Sequence, residues 1–219
     1  MNNLLAKIKK LNHDKNYAEI YRLVGEQLKH ESNDIGLWLS LAIVVFAPPH
    51  GDEIWSIECL QKALAIDKNN VTAILILAYV YEYGLGGIDD ELLKKIESLH
   101  TNSNELNSLL KYVASWSYAS HKKNDPLSEE RLLKESIQFC NNHVWNYIHL
   151  AWLYFDQHRD TEARELVKKA VSNVQKTYTA HVHNDDLTNV NEFLNEHIKG
   201  IFLTDVNLEI IKELLNEKK

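Results

Sequence analysis

The spacing of small and bulky residues between His143 and Val174 constrains this chain more than any other feature. Tyr147, Leu150, Ala151 and Tyr154 recur at steps of three and four, which places them on one face of a helix. Asp156, His158 and Asp160 then break the apolar pattern and predict a turn. Ala163, Val167 and Ala170 resume it as a second helix. Alanine at positions 163 and 170 allows the two helices to approach closely, because no long side chain holds them apart.

The same order of residue types returns upstream. Trp38, Leu41, Ala42 and Val45 repeat it, with Asp34 as N-cap, and Ser56, Leu60 and Ala63 occupy the matching places after Asp52. Pro48, Pro49 and Gly51 stop the first helix of that pair. Ile74, Leu77, Ala78 and Tyr81 repeat it again after Val71, followed by a Gly-rich turn over 81–90 and the helix DELLKKIESLH. Two weaker pairs cover 3–32 and 104–141, and ESIQFCNNHV echoes KALAIDKNNV. This spacing resembles the tetratricopeptide repeat, whose period is about 34 residues. Lys68 stands where that family usually has Pro.

The expected fold is therefore all-α, a right-handed superhelix of antiparallel helix pairs with about twelve helices. The repeat array is expected over 1–176, with degenerate repeats near 3–32, 34–68, 71–100 and 104–141 and the clearest at 143–174. A polar connector over 177–186 and capping helices over 187–200 and beyond Thr204 or Asp205 complete it, with Gly200 ending the first. With only 7 Gly and 3 Pro in 219 residues, long helices with short turns are favoured over sheets.

Resemblance to this family implies a groove lined by the first helix of each pair and a role in gripping a protein or peptide. By position, the clearest repeat offers Trp145, Ile148, Trp152, Phe155 and Asp156 to that groove. The repeat at Val71 offers Thr72, Leu75, Tyr79, Glu82 and Tyr83, and the next offers Ser108, Lys111, Ser115 and Tyr118. Tryptophan and tyrosine dominate binding hot spots, which suits such a surface. Chaperone adaptors of the family clamp a carboxylate with Lys and Asn; only Lys111 fits here, so that ligand is not expected.

The net charge of −7 opposes binding to phosphate backbones, and no basic patch offsets it beyond Lys7, Lys9 and Lys10. A basic protein partner is the complement. The apolar runs at 37–47 and 73–81 are shorter than the roughly 20 residues needed to span a bilayer. The N-terminus lacks the apolar core of a signal peptide, so a cytoplasmic location with Cys59 and Cys140 reduced and buried is expected. No catalytic motif, phosphate loop or cofactor motif occurs, and the carboxylate clusters Asp89-Asp90-Glu91 and Glu129-Glu130 fall at helix starts, where the dipole favours them.

The function expected is a non-catalytic interaction scaffold. A narrower alternative is a bacterial immunity or antitoxin-like protein that neutralises a toxin, motivated by size, acidity and Asn/Lys/Ile-rich usage. A third is a metal-binding protein or enzyme using His181 and His183, with Asp185, Asp186 and His197 nearby; exposed linker histidine explains those residues more simply.

Overall fold

The computed structural model describes residues 2–47, 50–119, 121–178 and 188–199. Every regular element among them is helical. Helices α1 (Asn2–His13), α2 (Tyr17–Leu28), α3 (Ile35–Phe46), α4 (Glu53–Ile66), α5 (Val71–Gly84) and α6 (Asp90–Ser98) come first. Helices α7 (Asn104–Ser115), α8 (Pro126–Phe139), α9 (Val144–Asp156), α10 (Asp160–Tyr178) and the short α11 (Val190–Phe193) follow.

Their starts are set by side chains that satisfy orphan amides. Asp34 accepts from the Leu37 amide at 3.2 Å and Asp52 from Trp55 at 2.8 Å. Asn70 accepts from Ala73 at 3.0 Å, Asp89 from Leu92 at 2.7 Å and Asp125 from Ser128 at 3.1 Å. These acidic and amide residues are thus accounted for as caps.

The described chain divides into two compact units. One comprises residues 2–92 with 188–193, the other 93–178 with 194–199. In the first, α1 packs on α2, α3 on α4, and α4 in turn on α5. In the second, α7 packs on α8, α8 on α9, and α9 on α10. The small residues anticipated at the helix contacts are interior: Ala42, Ser56, Ala63, Ala78, Ala151, Ala163 and Ala170 have no exposed surface, nor does Ser136, which the spacing did not single out. The α3/α4, α7/α8 and α9/α10 hairpins close around such residues, and the larger Trp38, Leu41, Leu60, Ile74 and Val167 fill the space beside.

Several details differ from expectation. Helix α5 runs on through Tyr83 and Gly84, so the turn begins at Leu85 rather than Tyr81. Gly84 is needed there because a Cβ would sit 2.3 Å from the Glu53 side chain. Helix α7 ends at Ser115 instead of continuing to residue 121; its chain tightens into a 3-10 turn, Trp116–Tyr118, a common way of satisfying terminal carbonyls. Helix α10 reaches Tyr178, so Thr177 and Tyr178 are helical rather than connector. The helix expected over 187–200 is instead α11 followed by a π-helical turn, Leu194–Ile198. Pro48, Pro49, Gly200 and the last expected helix beyond Thr204 lie outside the described residues.

Candidate functional site

Helix α9 buries Tyr147, Leu150, Ala151 and Tyr154 as its spacing requires. Trp145, His149 and Trp152 recur at four and three on another face. Their rings form a continuous cluster: His149 lies 5.1 Å from Trp152 and 6.1 Å from Trp145, and the two tryptophans are 6.4 Å apart. From α7, the Tyr112 hydroxyl is 3.1 Å from His149 Nε2, and its ring meets the imidazole edge-on at 5.1 Å. Trp116 adds an edge contact to Tyr112 at 5.3 Å. Burial holds the imidazole of His149 down at about 4, so it is neutral near pH 7. Tyr112 and Trp116 are interior, but Trp152 is 40% exposed. The cluster is thus an aromatic shelf whose outer ring faces solvent.

Other positions expected in the groove have partners of their own. Phe155 is half-buried, with the Arg164 guanidinium 5.9 Å from its ring. Asp156 is exposed, and together with burial it pushes the Glu129 carboxyl up to about 7, burial being the larger cause. Lys111 pairs with Glu135 at 3.0 Å. The Tyr118 hydroxyl donates to Glu97 at 2.8 Å, and burial followed by that carboxylate pushes its pKa up to about 12.

Four positions inferred by resemblance are interior and cannot touch a partner. Ile148 and Ser115 are 1% exposed, and Ser108 and Leu75 are fully buried. Ser115 donates its hydroxyl to the Tyr112 carbonyl at 2.6 Å. Helices α5 and α9 are buried over more than one face, which a single-face reading of the spacing does not anticipate.

In the first unit, Tyr79 sits between Phe46, at 5.9 Å, and Tyr83, at 4.5 Å. The Phe193 ring meets it edge-on at 5.2 Å. Glu82 is half-buried and Tyr83 is 60% exposed. The structure therefore brings Trp145, Trp152, Phe155 and Asp156 onto one helix of one unit, and Tyr79, Glu82 and Tyr83 onto one helix of the other. His149 and Tyr112 belong to the shelf although the repeat pattern did not select them; the i,i+4 step from Trp145 to His149 was the available signal.

A second polar cluster lies inside the second unit. Ser108 Oγ is 3.0 Å from Ser136 Oγ and 3.1 Å from His143 Nδ1, and Asn146 donates to Ser136 Oγ at 2.8 Å. The Ser136 hydroxyl also lies 2.6 Å from the Ser108 carbonyl, which accepts from it. A serine beside a histidine invites a nucleophilic reading, but Ser108 has no exposed surface through which a substrate could reach it. The network ties α7, α8 and the start of α9 together.

Cys59 is buried and its thiol is pushed up to about 12, chiefly by burial, whereas Cys140 is only half-buried. Among the described residues no group of three metal-ligating side chains converges, and no helix is long and apolar enough to cross a membrane. His181, His183, Asp185 and Asp186 lie outside the described residues, and His197 is exposed.

No protein-family model matches this chain, and no curated protein matches it. Solved structures of MamA do resemble it. The MamA RS-1 ArsTM double mutant is 14% identical, with 79% of this chain and 93% of that chain aligned at a TM-score of 0.56. A crystal structure of MamA protein is 18% identical over 84% of this chain and 99% of that chain, at 0.55. MamA 41-end from Desulfovibrio magneticus RS-1 is 15% identical over 79% and 94%, at 0.56. At such identities the likeness concerns the fold alone: the chain has an all-α, tetratricopeptide-repeat-like fold.

Proposed function

We propose that this protein is a non-catalytic interaction scaffold that holds a protein or peptide partner against the exposed rings of α9. The observation that carries the reading is Trp152, 40% exposed while its ring packs on Trp145 and His149, the latter hydrogen-bonded to Tyr112. A large ring fixed in advance loses little side-chain entropy on binding, and such rings supply most of the energy of an interface. The tetratricopeptide-repeat-like fold supports the same reading, because helix-pair arrays present extended binding faces.

The partner favoured is basic. Net charge is −7, and the exposed Asp156 lies one helical turn beyond Trp152. An arginine-bearing segment could stack its guanidinium on Trp152 and pair with Asp156.

Affinity purification with the wild-type chain as bait tests this. Trp152→Ala is expected to lose about 2 kcal/mol or more of partner affinity, some 30-fold, while unfolding like the wild type. Recovery of the same proteins by wild type and Trp152→Ala in equal amounts would refute it.

A further inference from the structure

Part of the binding-helix face in the first unit is covered by the chain itself. Helix α11 packs on α3, and the Ser40 hydroxyl donates to the Thr188 carbonyl at 2.9 Å. Phe193 meets Tyr79 edge-on, and Tyr79 in turn meets Phe46. Tyr79 is one of the positions that the resemblance assigns to partner binding, and Phe193 of the 188–193 stretch stands against it, while Thr72, another such position, lines the cleft beside the stretch.

The side chains that the covering stretch buries are polar, Thr188 and Glu192, unlike those of the apolar core. Helix α11 and the π-helical turn that continues it, Leu194–Ile198, form a single short helical stretch, too short to be stable unaided. The π-helical form is rare and recurs at functional sites. Beside it an open cleft of about 740 Å³ remains, lined by Leu5, Lys9, Gly36, Leu39, Thr72 and Asn191. The cleft opens to solvent, so the chain itself covers only part of this face.

We infer that residues 188–193 are a tethered internal ligand, occupying a peptide-docking face on α3 and α5 that a partner must uncover. The competing occupant is a short helical segment with the same chemistry: an aromatic ring seated on Tyr79 and a main-chain carbonyl accepting from Ser40. The cleft leaves such a segment room for larger side chains than Thr188 and Val190 provide. This goes beyond the α9 reading and does not depend on it.

The probe is a labelled peptide of residues 188–199, TNVNEFLNEHIK, titrated into the full-length chain. Phe193→Ala loosens the internal copy and leaves the receiving face intact. It is expected to bind the peptide about tenfold more tightly than wild type, since removing an internal competitor raises apparent affinity by its occupancy. Adding Tyr79→Ala should abolish that gain. Equal peptide affinity in wild type and Phe193→Ala overturns the inference. Hydrogen exchange of the unaltered chain gives a second test that no folding defect can obscure. The Glu192 and Phe193 amides should exchange about 100-fold faster than the interior amides of α3 and α5. Equal protection would show that the stretch opens only when the whole unit unfolds, and would overturn the inference too.

Discussion

At the scale of single residues, two sites show how little space and how little charge this interior tolerates. Gly25 on α2 lies under the indole of Trp55, which stacks on Tyr21 at 4.0 Å; a Cβ at position 25 would come within 2.6 Å of the Trp55 ring. Trp55 is wedged between that backbone and Tyr21, whose hydroxyl donates to Asp52. Gly25→Val is expected to destabilise the chain by about 1–3 kcal/mol through overpacking. Urea unfolding with tryptophan fluorescence checks it, and an unchanged midpoint would contradict the crowding described. His143 sets the second limit. Burial, aided by the nearby Lys199 cation and opposed by Glu105, holds its imidazole at about 4 instead of the usual 6.5. The folded chain therefore keeps it neutral where the unfolded chain would bind a proton. Its contribution is intact above pH 6.5 and is lost as pH falls toward 4, by about 3 kcal/mol over the range. His149 titrates in the same sense, whereas Glu129, raised to about 7, works in the opposite one. The comparison of wild type with His143→Asn isolates the term: the stability gap between them should narrow as pH drops from 7 to 4.5. Parallel pH profiles would rule it out.

At the scale of the helix, α9 separates what spacing reveals from what it conceals. Its periodicity marks Tyr147, Leu150, Ala151 and Tyr154 as interior, and they are. It also offers Ile148 to a partner, and here it misleads. One apolar stripe implies one buried face, but α9 contacts both α8 and α10, and its first amide, of Val144, donates to the Lys199 carbonyl at 3.1 Å. Ile148→Ala is accordingly expected to cost about 2–4 kcal/mol of stability, as a buried large-to-small change does. Thermal or chemical unfolding would show it, and a loss below 1 kcal/mol would place Ile148 at the surface after all. Helix starts were legible from Asp34, Asp52 and Asn70 because a cap is a local bond between residues three apart. Helix ends were less so. Helix α7 stops at Ser115 and α5 continues to Gly84, where a Cβ would meet the Glu53 side chain of α4 at 2.3 Å, a contact that the local spacing does not record.

At the scale of the whole molecule, acidity is the property that the candidate surface shares with the rest of the chain. With 31 acidic and 24 basic residues, the long-range field favours encounter with basic partners. Association with the partner bound at Trp152 is expected to slow by about tenfold between 50 and 500 mM salt, with a smaller change in dissociation. Stopped-flow mixing measures both; a salt-independent association rate would argue for an uncharged partner instead.

What the amino-acid order settles alone is the hairpin repeat. Alanine and serine at 42, 56, 63, 78, 151, 163 and 170 recur at intervals that suit closely packed helix pairs, and all seven are interior. Such spacing is a property of neighbouring turns, so it survives in one dimension. Which aromatic rings meet solvent was decided only in three dimensions. Trp152 is exposed and Ile148 is not, and Thr188 and Phe193 reach Ser40 and Tyr79 across more than a hundred residues of chain. Those outcomes depend on which distant segment comes to rest on a helix, and no local periodicity records that.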